Sequence, residues 1–435
     1  MSNKKLSLLL VGLSLMATSI FSNGQNESSA SNVNAEDQVT ITIGYAGGDP
    51  LVKQLISERI VKFMNENPGV NILQAASGSG AYLDFLKTKD AVGEFPDFVE
   101  SRDTSVWERA GRLAELPESV VSLINEAPAL NGKYYVAPLS IQPAIGGIYY
   151  NKAIFDELGL SEPKTYGEFL EICEIIKDNG IAPIVVGGKD GWHMGFSWAH
   201  YWNKNVQSKN TNWNADRYEG KVKFSDDNVK ASFLEYADLW KKGYVEKGFL
   251  STGDNQVTSF LITRKAAMLI AGTWMIQQIT DADPEFDLGW APIPNEKGEL
   301  ELAFGPRLEG WALSKDASAD PNKVKAFEAF IDFWYAPENY VEYLQSINEF
   351  SASKEVRNVT YTNSILSEVS EAMSNATFND VMWNNKWGDN ELPGSFRNYA
   401  YKAFQEFITN DKISVDDFTE KLDKEWEVEA EQFRK

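Results

Sequence analysis

The chain has 435 residues, of which 63 are acidic and 41 basic, for a formal net charge of −22. An excess of that size excludes nucleic-acid backbones and anionic membrane surfaces as partners, because both repel an acidic surface. Hydrophobic residues at 43% exclude global disorder, and one Cys with two His leaves nothing for a disulfide framework, a thiolate zinc cluster or a His-based metal site.

Lys4 and Lys5 precede an almost uncharged, mostly apolar run from Leu6 to Phe21, which predicts a signal peptide over residues 1–22. Residues 23–37 are rich in Asn, Ser, Gln and Glu without periodicity and read as a flexible tether. In bacterial lipoproteins a Cys follows the small-residue box of the signal; here Asn23 stands at that place. An exported protein is expected, tethered to the membrane at the cell surface only if its native form carries a lipid-bearing Cys near position 23. No later apolar run approaches the length needed to span a bilayer.

The body opens with VTITIGY over residues 39–45, a β-branched run that predicts a strand. Gly47-Gly48-Asp49-Pro50 breaks it. Val52, Leu55, Ile56, Ile60 and Phe63 then share one face of a helix, Asn67-Pro68-Gly69 stops that helix, and residues 70–73 resume as a strand. This is a βαβ unit, which implies a parallel sheet. Residues 95–99 form a further short strand, with Glu100, Arg102 and Asp103 just past its carboxyl end, and residues 145–150 another. Thr165 and Glu168 make a capping box for a helix whose inner face is Phe169, Leu170, Ile172, Cys173 and Ile176. A strand follows at 184–188 and helices at 229–242 and 321–335. Residues 337–435 read as mostly helical.

Chemistry-bearing motifs are scarce. The chain has no G-x-S-x-G elbow, no phosphate-binding G-x-x-x-x-G-K-[ST] and no H-E-x-x-H, and His193 and His200 stand seven apart, a poor chelating spacing. No catalytic residue, metal or cofactor is expected. The positive signal is tryptophan. Trp192, Trp198 and Trp202 fall in the loop-like stretch 187–213, Trp274 follows Ala271-Gly272-Thr273, and Trp383 and Trp387 flank Asn384-Asn385-Lys386. An indole outside regular structure either plugs a core or faces a ligand; its flat apolar face matches the C–H face of a pyranose ring, and nearby Asp, Asn, Glu, Arg or His193 can bond hydroxyls. Three separate clusters predict a sugar-contacting cleft. Two alternatives stay open: a secreted glycan-processing hydrolase, which needs a raised-pKa acid beside a second carboxylate, and a binder of a non-sugar solute such as a polyol phosphate, which needs Arg or Lys in the cleft.

From about residue 39 to 426 the chain resembles the family 1 extracellular solute-binding proteins, the carbohydrate-capturing components of ABC importers. The resemblance is carried by FMNENPGV (63–70), PDFV (96–99), NGKYYVAP (131–138), GIYYNK (147–152), PKTYGEF (163–169), FLITRKAAMLIAGTW (260–274) and GWALSK (310–315), in that order and spacing. It implies an α/β, two-lobed periplasmic-binding-protein-like fold of class II type, its lobes joined by hinge segments that close on a ligand. Crossings are expected at 138–142, 274–276 and 334–337. Residues 38–140 and 276–334 would then form the N-terminal lobe, and 141–275 and 335–435 the C-terminal lobe. The resemblance further implies ligand contacts at Tyr45 and Asp49, at Ser79 and Tyr82, at Glu100, Arg102 and Asp103, at Trp274, at Arg307 and Glu309, and at Trp383 and Trp387; Trp192 and His193 join them from the aromatic pattern. Arg102–Asp103 could equally be a surface ion pair, and residues 306–310 a structural turn. The expected protein is a monomer whose partners are an oligosaccharide and the ABC permease subunits.

Overall fold

A computed structural model describes residues 38–47, 50–78, 82–125, 127–143, 146–305 and 309–434. Among them are thirteen strands: β1 (Val39–Tyr45), β2 (Val70–Ala76), β3 (Phe98–Ser101), β4 (Ala129–Leu130), β5 (Lys133–Tyr134), β6 (Ala137–Pro138), β7 (Gly147–Asn151), β8 (Ala182–Val185), β9 (Ala266–Ala271), β10 (Leu288–Ala291), β11 (Glu301–Phe304), β12 (Gly310–Leu313) and β13 (Phe378–Val381). The predicted signal peptide and tether lie outside the described residues.

The βαβ expectation is met at the start of the body. β1 and β2 pair in parallel from Val39↔Val70 to Tyr45↔Ala76, and β3 joins the other side of β1, also parallel. Helix Pro50–Glu66 crosses between them, turning Ile56, Ile60 and Phe63 inward at i, i+4 and i+7. Phe63 meets Phe330 of helix Pro321–Tyr335 edge to face, with ring centroids 5.3 Å apart. The sheet of this first lobe runs β2-β1-β3-β12-β6, with β12 antiparallel to both neighbours. The second sheet runs β10-β7-β9-β8, and β11 and β13 form a separate parallel ribbon. β4 and β5 make a hairpin whose turn residues, Asn131 and Gly132, both take positive φ, as a tight two-residue turn requires.

Two of the expected crossings move. The first connects β6 in one sheet to β7 in the other and takes in residues 139–142. The second is not at 274–276: helix Trp274–Ala282 packs Met275, Ile276 and Ile279 against Leu269 and Trp290, and β10 pairs with β7, so this stretch belongs to the second lobe. The chain returns between β11 and β12, at 305–309. Nor is the third at 334–337. Helix Pro337–Ile347 buries Tyr340, Tyr343 and Leu344 in the first-lobe core with Trp311 and Trp334, and the chain first meets the second-lobe core beyond that helix, at Phe350, Tyr361 and Ile365. A Pro that starts a helix looks the same in a sequence whether the chain changes lobe there or merely turns.

The crossings lie side by side. Ile141 and Phe350 exchange two backbone hydrogen bonds of 2.8 Å, the Gly305 N–H donates to Gln142 O at 2.9 Å, and the Leu139 N–H donates to Glu309 O at 3.4 Å. No helix among the described residues is long and apolar enough to cross a membrane.

Candidate functional site

The first wall follows from strand direction. β1, β2 and β3 are parallel, so their carboxyl ends fall on one edge, where open α/β sheets present ligand sites. Glu100, near the end of β3, is 1% exposed. Its Oε2 accepts from the Ala46 N–H at 2.7 Å, and its Oε1 accepts from Arg102 Nε at 2.9 Å and Nη2 at 2.7 Å. Arg102 itself is 41% exposed. Tyr45 donates its hydroxyl to Gln74 Oε1 at 2.7 Å, and Ser77 Oγ accepts from the Gly47 N–H at 3.0 Å. Tyr82 opens helix Tyr82–Ala91 and is buried, its hydroxyl without a partner among the described residues. Asp103 precedes helix Thr104–Arg109 but makes no capping bond with its side chain. Glu309 enters from the second crossing, beside the Gly310–Ser101 pairing. Its half-buried carboxyl is pushed up to about 7, first by loss of water and then, against the pull of Arg102, by Asp103 and Glu100.

The second wall is aromatic. β8 and β9 are parallel, and the chain leaves β8 through Gly187-Gly188 into helix His193–Trp202. Trp192, at its start, is 43% exposed. The indole lies over the His193 ring at 4.2 Å and meets Phe196 at 5.2 Å; Phe196 is 4.8 Å from Trp274, the first residue of helix Trp274–Ala282. Trp192, Phe196 and Trp274 thus make a row just past the carboxyl ends of β8 and β9. Phe196 was missed by the sequence reading, although it stands four residues after Trp192 on the same helical face. The two walls adjoin the same hinge band: the Gly146 N–H, in the first crossing, bonds Ala271 O at the end of β9, and the second crossing ends where Gly310 pairs with Ser101 at the end of β3.

Other expected contacts are placed elsewhere. His193 is 1% exposed, and its Nε2 is 2.7 Å from Asp254 Oδ1; a Cβ on Gly187 would come within 3.0 Å of its ring. It props Trp192 rather than facing a ligand. The stretch 187–213 is not a loop, because residues 193–202 are α-helical and 203–207 form a π-helical turn. Trp198 and Trp202, four apart, therefore share the inward face. Trp383 joins them, stacked on Trp202 at 4.4 Å and 1% exposed, so its indole fills the core. Asp49, Ser79 and Arg307 lie outside the described residues.

Trp387 bridges the lobes. Its neighbours in sequence are fixed to the second lobe, since Asn214 Nδ2 donates to Trp383 O at 3.0 Å and to Asn390 O at 2.7 Å, and the Tyr218 hydroxyl donates to Glu391 O at 3.0 Å. Yet the Trp387 indole packs on the first-lobe cluster containing Tyr82, Trp107 and Leu130, and its Nε1 donates to Ala129 O at 3.1 Å. Beside it Arg109 Nη1 donates to Glu391 Oε2 at 3.3 Å, and the Arg109 guanidinium lies 3.9 Å over the Phe433 ring. Among the described residues no group of three or more His, Cys, Asp or Glu could hold a metal ion.

Residues 45–341 match the family model described as bacterial extracellular solute-binding protein. The chain belongs to that family. A "Multiple sugar-binding protein" from Streptococcus mutans is 28% identical over 347 residues, covering 76% of this chain and 78% of the relative. Among solved structures, a chitin oligosaccharide binding protein matches with a TM-score of 0.77 at 23% identity, over 92% of this chain and 100% of its own. The raffinose complex of the solute-binding protein RafE matches with a TM-score of 0.69 at 21% identity, over 89% and 98%. The structural likenesses place this solute-binding protein in the two-lobed α/β fold, and membership of the extracellular solute-binding family makes it an exported protein.

Proposed function

We propose that this solute-binding protein captures a neutral oligosaccharide by closing its lobes over it and passes it to the permease subunits of an ABC importer, as a monomer and without chemistry of its own. The observation that carries this reading is the pairing of walls. One offers the row Trp192–Phe196–Trp274, on which the C–H faces of pyranose rings can stack. The other offers Arg102, Asp103 and Glu309 to hydroxyl groups, with Glu100 buried behind Arg102 and Tyr45 and Tyr82 at its base. Relatives named for multiple sugars and for raffinose support a saccharide as the solute. A polyol phosphate fits less well, since the Arg102 guanidinium already spends two N–H groups on Glu100. Membrane tethering at position 23 would need a Cys where this chain has Asn23.

One observation favours a second reading. Glu309, with its raised pKa near the Glu100 carboxylate, has the character of a glycosidase acid. Both oxygens of Glu100, however, already accept hydrogen bonds, which leaves it ill suited as a nucleophile or base. Calorimetry of the purified protein against a panel of neutral oligosaccharides tests the first reading: saturable 1:1 binding to at least one is expected, and binding to none overturns it. New reducing ends after incubation with the bound sugar would establish the hydrolase instead.

A further inference from the structure

We propose that Glu100 is a specificity-determining residue: by holding Arg102 in a closed ion pair at the cleft wall, it denies that guanidinium to anionic ligands and restricts the protein to uncharged saccharides. The inference rests on the saccharide reading above and names the residue that enforces neutrality.

Arg102 is the described cation placed just past the carboxyl end of β3, and it is 41% exposed, so a ligand in the cleft can reach it. A guanidinium in such a place is a ready receptor for a carboxylate or phosphate, which it binds through two parallel N–H bonds. Here the Nε–Nη2 edge is engaged and the charge paired. Nε and Nη2 both donate to Glu100 Oε1, at 2.9 and 2.7 Å. Glu100 cannot turn away, because it is 1% exposed and its other oxygen is held by the Ala46 N–H at 2.7 Å. Removing Arg102 from it would leave a buried carboxylate short of its partner, an arrangement that costs more than a new bond returns. Asp103 and Glu309 set further carboxyl groups around the pair, and Arg397 approaches Glu309 from the second lobe. An acidic sugar entering this corner meets carboxylates and a guanidinium whose charge is already paired and whose Nε–Nη2 edge is taken by Glu100; a neutral sugar meets the Asp103 and Glu309 carboxyl groups as acceptors for its hydroxyls.

The test compares a neutral oligosaccharide bound by the protein with a uronic-acid analogue of the same length and linkage, by calorimetry at two salt concentrations. Wild-type protein is expected to favour the neutral ligand, and the weaker acidic binding is expected to improve with salt, as repulsion is screened. In Glu100→Gln the acidic ligand should gain about tenfold relative to the neutral one, as a freed charge-assisted pair would give. That gain should weaken with salt and vanish in the double variant E100Q/R102Q. Unchanged discrimination in a folded E100Q protein overturns the proposal. So does wild-type binding of the acidic ligand that equals the neutral one and falls with salt, a measurement that needs no variant. Failure to bind either ligand would instead count against the saccharide reading.

Discussion

Two tryptophans of one helical segment do different work. Trp192 is exposed above His193, whereas Trp198, six residues on, is sealed against Trp383 at 4.8 Å. Trp192→Ala should therefore weaken sugar binding tenfold or more while leaving the melting temperature nearly unchanged. Trp198→Ala should cost about 3–5 kcal/mol of stability, the range for deleting a large core aromatic. Calorimetry and thermal unfolding of both variants check the contrast. Glu309 carries a pH dependence with a definite sign. Its carboxyl is raised from 4.5 to about 7 in the folded protein, so the folded state holds a proton that the unfolded state releases. Stability from this group is full below about 4.5 and is lost as pH rises through about 7, with a ceiling of about 3 kcal/mol. Glu391 is raised too, first by loss of water, and adds the same sign. Thermal unfolding from pH 5 to 8 should show falling stability, and Glu309→Gln should flatten most of that slope. A slope unaltered in E309Q would contradict the assignment.

At the scale of elements, the hinge band depends on close backbone approach. A Cβ on Gly310 would stand 2.0 Å from Ala137 O, closer than any real contact, so β12 and β6 could not pair as they do. Gly310→Ala is expected to cost about 1–3 kcal/mol, as overpacking does, and to disturb closure because the second crossing ends there. Reduced sugar affinity together with a lower Tm would bear this out. Element identity was legible where local pattern and burial agree. The capping residue Thr165 accepts from the Glu168 N–H at 3.2 Å, and Cys173 sits on the buried face of helix Tyr166–Asp178, as its spacing predicted. Burial pushes its thiol up, which makes it inert. Helix His193–Trp202 was not legible. Its aromatic inner face and two small residues, Gly195 and Ser197, mask the 3.6-residue period, since nearly every position is buried.

For the whole molecule, the lobes are joined by three adjacent crossings and by the bracket of Trp387 and Glu391. The bracket is protein on protein: an indole donating to Ala129 O and packing on first-lobe side chains, with an Arg109–Glu391 pair beside it. Such contacts hold the lobes in this arrangement whatever lies in the cleft, and a ligand shifts that arrangement only by its differential affinity for the alternatives. Trp387→Ala and Arg109→Gln should each enlarge the radius of gyration of the sugar-free protein in solution scattering and weaken sugar binding, while saturating sugar restores the compact value. Unchanged scattering in both would remove the bracket from the account of closure.

Composition and local pattern alone determined much about this protein: an acidic chain, the parallel βαβ opening, the helices with a clean apolar face, and the order of family motifs. These are properties of neighbours in sequence, where periodicity and capping act within a few residues. The tertiary structure decided which lobe each segment joins and which aromatics see solvent. Nothing in the local pattern of residues 288–291 says which sheet they join, and only the pairing of β10 with β7 assigns them to the second lobe. An indole at 192, 383 or 387 has the same chemistry in each place. Whether it faces a ligand, fills a core or spans two lobes depends on side chains more than a hundred residues away, as the stacking of Trp202 on Trp383 does.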